Sequence, residues 1–321
     1  MSLESSPPPS SQNLALPRTL VLVGNSPVGR KARRLEEAHR AMAAEGLQVV
    51  DTIHFDQLER LQDWVRRPAG DRPMIVAAGG DGTVGATANY VANTEAMLGI
   101  LPLGTSNDIA RSLRIPVRIE SAVHVLAHGR VATIDAGQFM PEGGAPRTFV
   151  HAAAMGIDVK FAQMATKSSI RKRLGPFTYV VAGLVALRSS EPFTCELRYD
   201  GRTESLRLLH LSVVNAPIFG GLLGLTLPGS DLDDRRLDVL AIEDMPLYRL
   251  ILGNMRLLVQ KHVVPHGVHV YHLSRLDVYA VQTLAVTLDG EVVGHIPGHF
   301  ILAGEALRVV APQSFADIDD E

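Results

Sequence analysis

IVAAGGDGTVGATANYV (75–91) sets an apolar run against Gly79-Gly80-Asp81-Gly82-Thr83, and an Ala-rich segment follows. The order is that of a strand, a glycine turn and a helix, with the turn where a helix N-terminus could meet an anion. Gly80-x-Gly82-x-x-Gly85 also satisfies the dinucleotide fingerprint G-x-G-x-x-G. Two features oppose that reading. The fingerprint takes an acidic residue about 20 positions on to bind a ribose hydroxyl, whereas the next strand here ends in a second glycine turn, LPLGTSND (101–108). Asp81 would also face a pyrophosphate, and like charges a few ångströms apart repel unless a cation lies between them. Magnesium bridging carboxylate and phosphate oxygens reverses the repulsion, so the loop suits a metal-bound nucleoside triphosphate.

Outward from this loop, strands and helices alternate. TLVLVG (19–24), LQVVDTIHF (47–55), MIVAA (74–78) and LGILPLG (98–104) read as strands. KARRLEEAHRAMAAEG (31–46), closed by Gly46, and DQLERLQDWVRR (56–67), with Asp56 as N-cap, read as helices, and another runs from the glycine loop to about residue 93. Such alternation predicts a parallel α/β sheet, whose ligands bind beyond the carboxyl ends of the strands. Both glycine turns lie there. After about residue 130, short β-rich runs such as RVATIDAGQFM (130–140) and HFILAGEALRVVAP (299–312) predict an antiparallel sandwich or barrel. Two helical inserts, near 175–188 and 247–259, interrupt them.

At 321 residues the chain is long for one core. The expected division is a disordered tail over 1–18, an α/β domain over 19–129, a β domain over 130–312 and an acidic tail over 313–321. The extreme C-terminus has the option of packing back on the first domain. A net charge of −3 gives no global attraction to nucleic acid, and no nucleic-acid partner is expected. The single cysteine, Cys195, reads as a small buried hydrophobe and suits a reducing cytoplasm. LLHLSVVNAPIFGGLLGLTLP (208–228) lacks formal charge over a membrane-spanning length, but Asn215, Pro217, Gly220, Gly221 and Gly224 break any helix, so it reads as strand, loop and strand.

GGDGT followed by LPLGTSNDIAR (101–111) resembles the catalytic domain of the diacylglycerol kinases, a family that also includes sphingosine kinases and bacterial lipid kinases. The family pairs G-G-D-G-T with P-x-G-T-x-N-D-x-A-R at about this distance. Asn25 and Gly29 match its N-P-x-S-G turn, and 178–201 is similar to its Y-x-x-x-G-L-x-x-L segment. Residues 213–239 resemble its V-x-N-x-x-x-x-G-G turn and D-D-G-x-L-D signature, and LDGEVVGHIP (288–297) its final D-G-E. The resemblance runs from about residue 19 to 312. It implies a two-domain lipid kinase: a nucleotide-binding α/β domain like those of NAD kinases and phosphofructokinases, then a β-sandwich, with the active site between them.

Position by position, the resemblance implies that Gly79, Gly80, Asp81, Gly82 and Thr83, with Gly104 and Thr105, cradle the phosphates of ATP. Asn25 would contact the nucleotide, Asn107 would shape the turn, and Asp81 with Asp108 would organise Mg2+. Asp289 would take the proton from the lipid hydroxyl, with Glu291 beside it, and Asp234 matches a family site for a structural metal. Taken alone, LDGE reads as a β-hairpin turn, and Asp108 also reads as a helix N-terminal carboxylate. The chain departs from the pattern at three places. Gly85-Ala86 replace the family's N-E after the loop, Arg235 replaces a glycine where φ > 0 would strain a side chain, and His151 replaces a frequent asparagine.

The substrate expected is diacylglycerol or a related glycerolipid or sphingoid lipid, met peripherally at the inner face of the membrane. Lys167, Arg171, Lys172 and Arg173, ahead of an apolar segment, offer an electrostatic means. A homodimer is compatible with the sequence. A catalytically silent nucleotide-binding regulator and, further off, a dinucleotide-dependent oxidoreductase remain the alternative classes.

Overall fold

The computed structural model describes residues 15–24, 30–156, 191–216, 218–219, 225–226, 235–246 and 267–315. In the first half, β1 (Thr19–Val23), β2 (Gln48–Ile53), β3 (Met74–Gly79) and β4 (Met97–Pro102) lie in the order β2-β1-β3-β4, all parallel. The strands β1, β3 and β4 are near-continuous apolar runs because helices cover both faces of a parallel sheet. Those helices are α1 (Arg30–Ala44), α2 (Leu61–Val65), α3 (Asp81–Val91), α4 (Asp108–Ser112) and α5 (Ile119–His128). Gly46 ends α1 at φ 71°, with its N–H on Ala43 O and the Leu47 N–H on Met42 O, the pairing that a left-handed residue permits.

The expected single helix over 56–67 is instead a 3-10 segment (Phe55–Arg60) and the five-residue α2. Gln57, at φ −132° and ψ 21°, breaks the helical path, and the cap position falls on His54, so Asp56 is not an N-cap. Competing contacts explain the break. Asp51 draws Arg60 and the Trp64 indole N–H onto its Oδ2, at 2.7 and 3.1 Å, which fixes this segment against β2 rather than along one axis.

The second half is antiparallel. β5 (Arg130–Pro141), β6 (Arg147–Phe149), β7 (Ala152–Met155), β8 (Phe193–Tyr199) and β9 (Arg202–Val214) are followed by the short pair β10 (Ile218–Phe219) and β11 (Leu225–Thr226). Then come β12 (Leu237–Glu243), β13 (Val268–Leu273), β14 (Arg275–Ala280), β15 (Leu284–Leu288), β16 (Glu291–Ile296) and β17 (Gly298–Ala311). Their inward residues, among them Phe139, Phe149, Phe193, Leu211 and Phe300, form a second core apart from that of the parallel half. Cys195 is buried within it on β8, and burial pushes its thiol up to about 12.

The two cores share strands. β17 pairs antiparallel with β5 along most of its length, with β14 near its start, and parallel with β4 through Arg308↔Met97 and Val309↔Leu98. Ala132, Ile134, Leu307 and Val309 lie in the first core, whereas Phe139 and Phe300 lie in the second. A boundary at residue 130 leaves β5 and β17 together on its C-terminal side, although both contribute residues to the first core and β17 pairs with β4 across it. Both tails are also shorter than composition suggests. Leu16 packs on the first core and the Arg18 carbonyl accepts from Gln48 N; at the other end Phe315 is buried and its carbonyl accepts from Arg130. Asn25, Asp234, both helical inserts and the basic run 167–173 fall outside the described residues.

Candidate active site

Close packing of backbone builds the site's floor. Glycine turn 79–83 ends β3, and the turn 104–107 ends β4, its immediate neighbour in the sheet. Leu103 and Gly104 N–H groups both donate to the Gly79 carbonyl, at 2.9 and 3.1 Å. A Cβ on Gly104 would strike the Cα of Gly80, and one on Gly79 would strike the Thr83 side chain. Glycine is thus required at both turns for approach distance, whatever their angles. Asn107 closes the second turn in a left-handed conformation, φ 52°, accepting from Gly104 N–H at 2.9 Å and donating to Gly104 O at 3.2 Å. Thr105 at the crest is exposed.

With Gly80 at the N-cap of α3, Thr83 and Val84 N–H groups turn back to the Gly80 carbonyl at 2.9 and 3.1 Å. The Asp81 and Gly82 N–H groups come before the first helical acceptor, so they and the helix dipole face the turn. Asp81 bridges the turns: its Oδ1 accepts from Ile109 N–H, in the first turn of α4, at 2.9 Å. Asp108, the first residue of α4, is buried, with Oδ2 3.8 Å from His151 Nε2.

Across the turns stands Asp289, and LDGE is indeed a hairpin turn. Asp289 and Gly290, at φ 49° and 92°, join β15 to β16. The Asp289 carboxylate does not point to water. Oδ1 accepts from His151 and Ala152 N–H at 2.9 and 3.0 Å, and Oδ2 from Val150 N–H at 3.0 Å. Its own N–H donates to Ala152 O at 2.9 Å. A carboxylate offers about four lone-pair sites, so Oδ2 keeps one acceptor position. That oxygen rests against α3: a Cβ on Gly85 would strike Asp289 Oδ2. Burial raises the Asp289 carboxyl above the ordinary aspartate range, against the opposing pull of the His151 ring and the three N–H groups. Glu291, the next residue but one, is exposed at the start of β16, outside this arrangement.

The structure therefore brings Asp81, Asp108, Asp289 and both glycine turns to one junction of the two halves. Four further residues hold it, of which Asn215 alone falls on a matched motif position, the asparagine of V-x-N, and none is given a role by the sequence. Gly85 admits Asp289. His151 stands between Asp108 and Asp289. Asn89 joins α3 to β6, donating to Thr148 O and accepting from Thr148 N–H, both at 2.9 Å. Asn215, buried, donates to the carbonyls of Asp135 and Val150. Only the departure of Gly85 and His151 from the family pattern marked them. Arg235 occupies its left-handed position at φ 57°, where its N–H donates to Asp135 Oδ2 at 3.2 Å.

Residues 18–139 match the diacylglycerol kinase catalytic domain, and residues 151–311 the YegS C-terminal NAD kinase beta sandwich-like domain. The diacylglycerol kinase of Bacillus subtilis strain 168 is 29% identical over 253 residues, covering 77% of this chain and 80% of the relative. That of Staphylococcus saprophyticus is 29% identical over 255 residues, covering 77% and 79%. Two crystal structures from Bacillus anthracis str. Sterne share the fold. One superposes with TM-score 0.72 at 19% identity over 93% of this chain and 99% of the other. The second, described as a diacylglycerol kinase, gives 0.66 at 17%, covering 93% and 98%. The chain belongs to the diacylglycerol kinase family and is a lipid kinase.

Proposed function

We propose that this lipid kinase transfers the γ-phosphoryl group of ATP to the hydroxyl of diacylglycerol or a closely related glycerolipid or sphingoid lipid, with Mg2+. The observation that carries the reading is the meeting of the two glycine turns with Asp289 at one junction. The N–H groups of Asp81 and Gly82 and the mouth of α3 suit phosphate oxygens. The donor set fits magnesium: Asp81 is a hard oxygen ligand in the phosphate turn, with Oδ1 fixed by Ile109 N–H and Oδ2 outside that bond. Asp108, buried beside His151, is the second candidate ligand. Bound there, the ion would neutralise charge on the transferring group.

In the transfer, the lipid hydroxyl oxygen forms a bond to the γ-phosphorus, the bond to the β–γ bridging oxygen breaks, and ADP leaves. The hydroxyl proton passes to Asp289, whose remaining Oδ2 acceptor position and raised proton affinity suit that task. Asn25 on the nucleotide and Asp234 on a structural metal stay in the proposal from the family pattern alone, and Glu291 has at most a supporting place beside the turn. No helix among the described residues is long and apolar enough to cross a membrane. Substrate would then be met at the membrane surface, with the basic run 167–173 supplying attraction to anionic lipid.

The test is a Mg2+-dependent phosphorylation assay with short-chain diacylglycerol, a sphingoid base and phosphatidylglycerol, comparing wild type with Asp81→Asn. Phosphorylated lipid from wild type and its loss in the variant support the reading. ATP binding with no product from any of the three lipids would overturn it in favour of a silent regulator.

A further inference from the structure

Away from the cleft, α1 and α5 pack side by side in the parallel half. Glu45, directly after α1, meets two histidines of α5. His124 and His128 are four residues apart and so share one helix face. His124 Nδ1 lies 3.0 Å from Glu45 Oε1, and His128 Nε2 lies 2.7 Å from Glu45 Oε2. The two rings are 4.6 Å apart between centroids. Each imidazole thus addresses a different oxygen of one carboxylate, and the three donor atoms lie within 4.8 Å of one another.

We propose that Glu45, His124 and His128 form a zinc site that clips α1 to α5. Two imidazole nitrogens and one carboxylate oxygen, with a water completing a tetrahedron, are a common zinc donor set. With bonds of about 2.0–2.1 Å, tetrahedral donors stand roughly 3.3 Å apart, and side-chain rotation must bring three atoms now within 4.8 Å of one another to that spacing. The arrangement differs from the molecule's other His–carboxylate pairs, among the described residues, in bringing a second imidazole to the same carboxylate. His269–Glu243, His272–Asp238 and His299–Asp277 on the β half each offer one imidazole and one carboxylate. They serve as internal controls.

The scaffold is fixed from both sides. Glu45 N–H donates to Ala41 O, its carbonyl accepts from the Arg18 guanidinium, and Gly46 turns the chain immediately after it. On α5, the His128 carbonyl accepts from the Gln313 amide, tying the helix end to the C-terminal segment. His124 and His128 side chains are 64% and 46% exposed, so an ion has access and a water can complete its shell. Metal bonds to each imidazole nitrogen and to the carboxylate replace the present hydrogen bonds, each neutral ring keeping its proton on the other nitrogen. The 15 residues of α1 place the site about 22 Å from the first residue of the helix. The site's effect is therefore on stability and not on the phosphoryl-transfer step.

The experiment titrates zinc sulfate into the full-length, untagged, chelator-treated protein, following heat by calorimetry and melting by fluorescence, with cobalt(II) absorption as a coordination probe. Wild type is expected to bind one equivalent, melt several degrees higher at saturating zinc and show tetrahedral cobalt bands. His124→Ala/His128→Ala and Glu45→Gln should lose the equivalent and the shift while melting within about 2 °C of wild type without metal, since exposed ion pairs contribute little. Zinc binding unchanged in the double variant, no binding by wild type, or an equal shift from magnesium would each overturn the proposal.

Discussion

Asp81 and Asp289 both follow a strand and both are gripped by main-chain N–H groups, but the grip differs. Asp81 gives one oxygen to one N–H and keeps the other for whatever the turn binds. Asp289 gives both oxygens to three N–H groups, two from the connection between β6 and β7 and one from the first residue of β7. The parallel half thus makes its turn from backbone shape and leaves its charge available. The antiparallel half commits its turn's charge to its own β6–β7 backbone and reaches the parallel half where Oδ2 rests against Gly85, with one acceptor position to spare.

The contrast is broken first by replacing each aspartate with asparagine. At the hairpin, an asparagine side chain has only one acceptor oxygen and would aim an NH2 group at backbone donors. Asp289→Asn should lower kcat by about 10²–10⁴-fold, the range for losing a general base, and cost roughly 1–3 kcal/mol through an unsatisfied N–H. Asp81→Asn keeps an acceptor for Ile109 N–H, so kcat should fall about 10²–10³-fold with the denaturation midpoint unchanged. Equal stability losses in the two variants would remove the distinction. The raised Asp289 proton affinity adds a pH signature. A base must be unprotonated, so the acid limb of the wild-type kcat profile should lie above the ordinary aspartate range. On stability the sign reverses: the protonated form is favoured in the folded state, so this contribution is present in acid and lost as pH rises through the raised pKa.

Gly85→Ala sharpens the same point from the opposite face. A glycine in a helix usually costs about 0.5–1 kcal/mol relative to alanine, so the change would stabilise an ordinary helix. Here the added methyl meets Asp289, and overpacking of about 1–3 kcal/mol decides the sign. Urea denaturation should show net destabilisation, with kcat reduced. The smallest effect is expected at Arg235→Gly. Relief of a left-handed side chain, roughly 1–2 kcal/mol, is offset by glycine's added chain entropy, leaving a gain of up to about 1 kcal/mol in the same measurement.

Much of the parallel half was legible because its signals are local. Apolar runs, a closing glycine at 46 and two glycine turns each act within a few residues. The helix over 56–67 was misread because Asp51, outside the window, captures Arg60 and Trp64. In the antiparallel half the strands were legible but their partners were not, since pairings such as Asp289 with 150–152 join residues 137 to 139 positions apart. The departures Gly85 and His151 illustrate the limit. In sequence they look like erosion of a motif, yet in space they sit against the same carboxylate. Their fit depends on contacts that no window of sequence contains.

The ladder shared by β5 and β17 has a consequence for how the molecule is made. β4 finds its outer neighbour only in residues 308–309, so the sheet begun by the first strand is finished by the last. During synthesis the early βα units must wait, with the β4 edge open as well as the β2 edge, until more than 200 further residues have been added. An open edge is a template for other chains. A product halted before residue 298 should accordingly clump, even though it would hold every residue of the two glycine turns.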